Sequence, residues 1–312
     1  MEISILLAEQ ILAMFLTMAV GFGVVRAGLF KTEDSRIISN MVVYICNPCV
    51  VVHSFQIELT DDKIKGLMIA IGLSVVVHMV LIIGSEILSF IFHFNSIEKA
   101  SIIYTNAGYL VIPLVGAVLG EEWVFYTTAF ILVQTVLMWT HGVKLIGQEK
   151  ELNIRKILCN PNVIAMIIGI ALFALEIRLP TVVDSCVSGF GDMISPASMM
   201  VIGMVIGDVD LKWVFRQKRP YLICLLRLIV FPLIAVVAFA GLERRGIHPD
   251  AEYILMIVLI ATSAPAAAMI TQLAQIYGKD SRYASVINVM SVIFCIITMP
   301  VMVLSYEMLI AL

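Results

Sequence analysis

The sequence contains about ten apolar stretches, each long enough to cross a lipid bilayer and joined to the next by a short polar link. A backbone that enters hydrocarbon must pair its N–H and C=O groups internally, so such stretches are expected to be helices. The pattern therefore predicts an all-α polytopic membrane protein. The predicted spans run over residues 4–25, 36–57, 66–92, 98–119, 123–145, 160–178, 185–207, 220–242, 251–276 and 283–311.

The bulk composition is that of a chain in contact with lipid over most of its surface. Of 312 residues, 61% are hydrophobic and 14% charged, and the mean hydropathy is +1.03, whereas a soluble domain carries about 25% charged residues. No basic stripe with interleaved aromatic residues indicates a nucleic-acid partner. The six cysteines fit neither a disulfide framework nor zinc spacing. We expect no metal site and no cofactor.

The positive charges divide the links into two sets. The longest polar link, 146–159, separates a first half, 1–145, from a second half, 160–312. Alternate links carry fourteen Lys and Arg residues on one side and five on the other, with Arg227 inside a span. By the positive-inside rule the fourteen face the cytoplasm, which places the linker inside and both termini outside the cell membrane.

Five spans in each half predict an inverted repeat, because an odd number makes the second half enter the membrane in the opposite sense. Helix-breaking motifs support this prediction, since they recur in the same order in both halves at offsets of 148, 157 and 158 residues. The matched residues are Pro48 with Pro196, Thr105 with Thr262, and Gly120 with Gly278.

The breaks in spans four and nine predict the substrate site. Interrupted helices at corresponding positions of two inverted halves typically surround a substrate, and the N-terminal ends of their broken halves favour an anion. The alternative is a pair of ordinary kinks, because proline is common in membrane helices. Asn106 is the leading candidate, since an uncharged amide can bind a carboxylate and is tolerated in an empty site.

The stretch from Asn106 to Pro113 resembles the fourth-span motif of the auxin efflux carrier family, which includes plant auxin carriers and bacterial malate and malonate permeases. Other motifs extend the resemblance over nearly the whole chain: Asn47-Pro48, Asn160-Pro161, Ser195-Pro196, Ile202-Gly203, Arg227 to Pro232, and Ala274 to Gly278.

The resemblance implies a fold similar to that of sodium/proton antiporters and bile-acid symporters. Spans four and nine would cross in a transport domain of spans three to five and eight to ten. Spans one, two, six and seven would form a scaffold, often dimeric, and an elevator-like motion would carry organic anions. Together with the breaks it gives a candidate substrate-binding set: Asn47, Asn106, Gly108, Tyr109, Pro113, Thr262, Ser263 and Pro265.

Two departures from the family pattern affect the expected site. Val111 stands where a small glycine is usual, and three alanines, 266–268, follow Pro265 where many members have an asparagine nearby. The second half of the site is therefore expected to be poorer in polar groups, which leaves the identity of the substrate open.

Three ionisable residues inside spans are candidates for a charge or coupling role. Arg227 and Glu86 lie at a similar predicted depth in spans eight and three, and an unpaired charge there costs about 2.5–3.5 kcal/mol or more. We therefore expect them to pair or share a polar pocket, unless Arg227 snorkels to the interface. His78 in span three is either a proton-coupling group or a hydrogen-bonded core histidine.

Three other functions remain as alternatives. One is a sodium- or proton-coupled carrier of another organic solute, although no pair of carboxylates lies at the expected crossing. Another is a membrane protein that senses a ligand without transporting it. An intramembrane aspartyl protease is disfavoured, because the Gly189 to Asp192 string lacks the second aspartate in span six that such chemistry needs.

Overall fold

The computed structural model describes residues 2–147 and 158–311, and these are almost wholly helical. Among the described residues, seven helices are long and apolar enough to cross a membrane, and three shorter apolar helices accompany them. The helices are α1 (Glu2–Arg26), α2 (Thr32–Ser54), α3 (Asp61–Phe92), α4a (Ser96–Ile103), α4b (Ala107–Val118), α5 (Glu121–Gly147), α6 (Pro161–Ala174), α7 (Thr181–Gly207), a short helix (Leu211–Arg216), α8 (Arg219–Glu243), α9a (Ala251–Ser263), α9b (Met269–Ile276) and α10 (Ser281–Ile310).

This architecture agrees with the predicted polytopic helical membrane protein. The ten-span inverted repeat stays a prediction, because three of the apolar helices are too short to count as spans on length alone. Most of the predicted 146–159 linker lies outside the described residues.

Polar caps fix several of the helix ends. Asn95 and Glu98 cap α4a reciprocally, since each side chain accepts a hydrogen bond of 2.9 Å from the backbone N–H of the other. Asp280 caps α10 by accepting from the Tyr283 N–H at 2.9 Å. α3 ends at His93, which adopts a left-handed backbone conformation with φ of 52°.

Helices α1, α2, α6 and α7 form one packed group, which we call the four-helix unit. Its α1–α7 contact brings two backbones unusually close. A Cβ on Gly203 of α7 would lie 1.9 Å from the Met18 carbonyl oxygen, and one on Gly21 of α1 would lie 2.3 Å from the Met200 carbonyl oxygen. Only glycine permits this approach, so the sequence fixes where the two helices cross.

Helices α3 to α5 and α8 to α10 form a second group, the six-helix unit. In this unit the glycines of α3 receive aromatic rings from neighbouring helices. A Cβ on Gly66 would lie 2.8 Å from the Tyr126 ring of α5, and one on Gly84 would lie 2.6 Å from the Phe231 ring of α8. α3 is therefore held against both halves of the chain.

Contacts between helix ends define two ends of the bundle. At one end, Arg219 at the start of α8 donates to the carbonyl oxygens of Phe92 and His93 after α3, at 2.7 and 3.0 Å. At the other, His248 before α9a lies 2.8 Å from the Asp62 carbonyl oxygen at the start of α3. α4a and α9a thus enter the bundle from opposite ends. We call the end with Arg219 the basic end and the end with Asp62 and His248 the acidic end. Which of the two ends faces the cytoplasm stays a prediction.

Candidate substrate site

The breaks in α4 and α9 lie against each other and pair through their backbones. Thr105 and Ala266 form an isolated antiparallel bridge. The Asn106 N–H donates to the Pro265 carbonyl oxygen at 2.8 Å, and the Ala267 N–H donates to the Tyr104 carbonyl oxygen at 3.0 Å. The two breaks that the sequence singled out therefore meet at one crossing.

The pairing places Thr105 opposite Ala266, 161 residues further along the chain. The sequence match of Thr105 with Thr262 compared side-chain types, whereas the bridge is made by main-chain groups, and the alignment of the two halves stays a prediction. Beside the bridge, the residue that donates its backbone N–H from the first half is Asn106, and the one that donates from the second half is Ala267. The first half therefore brings a polar side chain to this position, and the second half brings a methyl group.

Polar side chains on the flanking helices hold the two central residues of the crossing. Gln134 of α5 accepts from the Thr105 N–H at 2.8 Å and donates to the Thr105 carbonyl oxygen at 2.9 Å. For Ala266, two different residues of α10 supply the donor and the acceptor. Asn288 donates to its carbonyl oxygen at 2.7 Å, and Ser291 Oγ accepts from its N–H at 3.1 Å. Buried backbone groups outside a helix need such partners.

Arg227 lies in the middle of the six-helix unit, is 0% exposed, and bridges the two breaks. Its Nε donates to the Ala264 carbonyl oxygen at 3.2 Å and its Nη1 to the Ile102 carbonyl oxygen at 3.1 Å. These carbonyl groups lie at the C-terminal ends of α4a and α9a, and helix C-terminal ends carry partial negative charge. The guanidinium therefore neutralises two converging helix ends, and its Nη2 has no partner among the described residues.

The predicted pair of Arg227 and Glu86 does not form. Glu86 is half-exposed and accepts from Lys99 Nζ at 2.7 Å, near the basic end. Snorkelling of Arg227 is also wrong, because the side chain does not reach the surface. The partners of Arg227 are backbone carbonyl groups, which residue types do not reveal.

His78 is a buried histidine of α3. Its Nδ1 donates to the Ser74 carbonyl oxygen at 2.7 Å, and its ring packs on Phe130 with centroids 4.8 Å apart. This is the arrangement expected for a hydrogen-bonded core histidine, one of the two roles considered from the sequence. A coupling role stays a prediction.

Several buried polar atoms around the crossing have no hydrogen-bond partner among the described residues. Asn106 Nδ2, Asn47 Oδ1 and Ser263 Oγ belong to this group, and all three residues are at most 7% exposed. Asn47 Nδ2 lies 3.2 Å from where a Cβ on Gly108 would be. The structure thus places Asn47 of the four-helix unit beside the α4 break.

The other candidate residues are distributed more widely. Tyr109 Oη lies 2.9 Å from Ser39 Oγ of α2, and Thr262 Oγ1 donates to the Val258 carbonyl oxygen of its own helix at 2.6 Å. Pro265 takes part in the pairing through its carbonyl group. Pro113 lies away from the pairing, in the wall of the cavity described next.

One residue near the crossing escaped the sequence analysis. Ser198 of α7 is fully buried, and its Oγ has no partner among the described residues. Its helix packs against the Ala107–Val111 turn. The Ser195-Pro196 motif two residues earlier marked this part of span seven, but a serine in a membrane helix is too common to be singled out by type.

A cavity of about 390 Å³ opens at the acidic end between the two units. The four-helix unit supplies part of its wall from α1, α2 and α7, and the six-helix unit supplies the rest from α4b and α5. Its lining consists of Gln10, Val50, His53, Ser54, Ile112, Pro113, Ala117, Glu121, Val124, Ser188, Gly191, Asp192, Ile194 and Ser195. Ile112 and Pro113, which follow the α4 break, lie in its wall.

Comparison with protein families gives a match to the model of membrane transport proteins over residues 6–303. The chain belongs to this membrane transport family. The match covers both units and the crossing, and it confirms the resemblance to the auxin efflux carrier family that the motifs indicated. A comparison with curated proteins gives no match. As a member of this family the chain is a multi-pass transport protein, and the family is one of transporters rather than enzymes.

Proposed function

We propose that this transport protein is a secondary or facilitative carrier of a small organic anion, such as the dicarboxylates malate or malonate. In this proposal the ten helices are membrane spans of two inverted five-helix repeats. The six-helix unit is the transport domain and moves in an elevator-like manner against the four-helix unit, which is the scaffold and also supplies a homodimer contact. The protein works in the cell membrane.

The crossing of the two broken helices is the observation that carries the proposal. Membrane proteins tolerate non-helical backbone at this depth only where protein or a water-lined cavity covers it. Here the backbone groups are paired, but the side-chain atoms Asn106 Nδ2 and Asn47 Oδ1 are buried without partners. A donor of this kind suits a carboxylate oxygen, and the acceptor suits a hydroxyl or a protonated carboxyl group.

The charges at the crossing support an anion as the cargo. Arg227 offsets the negative C-terminal ends of α4a and α9a, so the positive N-terminal ends of α4b and α9b are left to set the local potential. No carboxylate among the described residues lies within ion-pair distance of Arg227. The net field therefore favours negative charge.

The boundary between the two units supports relative motion. Among the hydrogen bonds that join different helices of the described chain, one crosses this boundary, between Tyr109 and Ser39. The rest of the contact is largely apolar, with Phe125 of the six-helix unit packed edge-on against Phe55 of the four-helix unit at 5.0 Å. Apolar contacts are not directional, so the units can slide past each other without breaking many polar bonds.

The arrangement of Arg227 bears on the choice of coupling ion. A cation can be bound by carbonyl oxygens without any carboxylate. The carbonyl groups of Ile102 and Ala264 are already engaged by the guanidinium, which disfavours sodium at that position. Coupling to sodium elsewhere or to protons remains an alternative that the following experiment separates.

Flux of labelled malate and malonate into proteoliposomes tests the proposal, with and without sodium and proton gradients. We expect saturable flux, and we expect Asn106→Ala to reduce it at least tenfold because the leading ligand donor is removed. Asn40→Ala, an exposed amide of α2, is the matched control and should leave flux unchanged. Both variants should retain the melting temperature of the parent.

Two other outcomes of the flux experiment would change the conclusion. Binding of the acids without flux would favour a ligand sensor. Undiminished flux in Asn106→Ala would refute the site assignment while leaving the carrier function standing.

A further inference from the structure

The cavity at the acidic end extends to the first α-helical turn that follows the break in α4. Its wall includes Ile112 at the start of the regular α-helical part of α4b, and Val50 of α2. Val50 lies three residues, about one helical turn, beyond Asn47. A ligand entering from this end therefore passes the mouth of the cavity before it meets the polar atoms of the crossing.

The mouth of this cavity carries two carboxylates and no compensating cation. Glu121 and Asp192 are exposed side chains that contribute to the lining. Neither forms an ion pair within the described part of the chain. The remaining ionisable residue of the lining is His53, which is bonded to Asp184 at 2.9 Å, so this pair adds no net positive charge.

The effect of these two carboxylates on an approaching ligand depends on the charge of the ligand. Carboxylates at the walls of a narrow cavity repel an anion, and the Coulomb energy is proportional to the charge of the ligand. The crossing deeper in the protein has the opposite polarity because of Arg227. An anion approaching from the acidic end thus meets an unfavourable field before a favourable one.

We propose that Glu121 and Asp192 are specificity-determining residues that make the acidic-end entrance discriminate against dianions in favour of monoanions. The inference rests on the proposed function, and it narrows the form of the cargo on this side of the membrane to a monocarboxylate or a singly charged dicarboxylate. The two side chains act through space on the approaching ligand and do not themselves bind it.

The potential of the entrance can be measured without any substrate. Ser188 lines the cavity, so Ser188→Cys is introduced after the three cysteines that are not buried, Cys49, Cys159 and Cys186, have been replaced by Ser. The probes are a cationic trimethylammonium-ethyl and an anionic sulfonatoethyl methanethiosulfonate. We expect the cationic reagent to react faster at low ionic strength.

The double variant Glu121→Gln/Asp192→Asn should bring the two reaction rates together. The matched control is Glu58→Gln/Glu176→Gln, which removes two exposed carboxylates of a separate cleft and should leave the ratio unchanged. Equal rates in the parent protein, or a ratio that the double variant does not move, would overturn the proposal whatever the cargo is.

The rate of association from the acidic end then tests the valence selectivity, with lactate and malonate as probes at pH 7.5. With about a twofold effect per carboxylate and per unit of ligand charge, the double variant should speed lactate association about fourfold and malonate association about sixteenfold. The difference should disappear near 1 M salt, where the screening length is about 3 Å.

The outcomes separate this inference from the function on which it rests. If neither acid binds to any form of the protein, the proposed anion carrier is refuted. If both bind but the double variant speeds their association equally, the carrier stands and the valence filter is refuted.

Discussion

The four-helix and six-helix units are held together by different kinds of contact. In the four-helix unit, glycines bring α1 and α7 into backbone contact, and the shape of the two helices decides the fit. In the six-helix unit, buried polar groups join the helices. Arg227 and Gln134 donate hydrogen bonds to backbone carbonyl groups at the crossing. The comparison shows that the α1–α7 contact, in the part expected to stay fixed, is made by packing. The part that holds the candidate site is joined by directional bonds.

The largest expected effect comes from removing the buried charge of the six-helix unit. Arg227→Met keeps a similar volume but leaves the Ile102 and Ala264 carbonyls without donors, and an unsatisfied buried group costs about 1–3 kcal/mol. We expect the melting temperature in detergent to fall clearly and anion flux to be lost. Arg227→Lys, which keeps the charge but not the planar fork, should recover part of the stability. A fully stable Arg227→Met protein would contradict the bridging role.

The packing of the four-helix unit is tested by adding one methyl group. Gly203→Ala forces the Met18 carbonyl away from α7, and overpacking of this kind costs about 1–3 kcal/mol. Gly23→Ala on α1 meets nothing within 4 Å and should instead be neutral, or stabilising by up to about 1 kcal/mol, since alanine favours a helix. Equal melting temperatures for the two variants would show that the close α1–α7 approach is not required.

Within the described residues, one hydrogen bond between helices crosses the boundary of the two units, so removing it should change stability less than the substitutions above. Tyr109→Phe and Ser39→Ala each remove the bond, which is worth about 1 kcal/mol. The double variant should be no less stable than the weaker single variant, as a double-mutant cycle of melting temperatures would show. A loss of ligand affinity in Tyr109→Phe that Ser39→Ala does not share would instead assign Tyr109 to the substrate site.

The smallest effect is expected at the ion pair of Glu86 with Lys99. Glu86→Gln breaks this contact near the basic end, where the Glu86 side chain is half-exposed, and a pair near the surface contributes about 0–1 kcal/mol. We expect the melting temperature and the flux to stay near those of the parent protein. Strong loss of flux would restore the coupling role once considered for Glu86.

The helices of both units could be predicted from apolar length, because hydrocarbon leaves a buried backbone few other solutions. The breaks predicted at residues 105–108 and 262–265 could also be located, since polar residues, glycine and proline interrupt apolar stretches there. The partners of Arg227 could not be predicted. They are carbonyl groups that every residue has, and only the tertiary arrangement decides which of them are exposed by a broken helix.

The bridge partner of Thr105 could not be predicted, for a related physical reason. Side-chain types matched Thr105 with Thr262, but the bridge joins Thr105 and Ala266 through main-chain atoms. The two bonds of Gln134 to Thr105 likewise become evident only from the fold.

The main-chain bridge at the crossing has a consequence for how such carriers diversify. Because the junction between Thr105 and Ala266 is made by N–H and C=O groups, the side chains beside it can change without dismantling it. Related proteins can therefore exchange an asparagine for an alanine at these positions and acquire a different cargo on an unchanged frame.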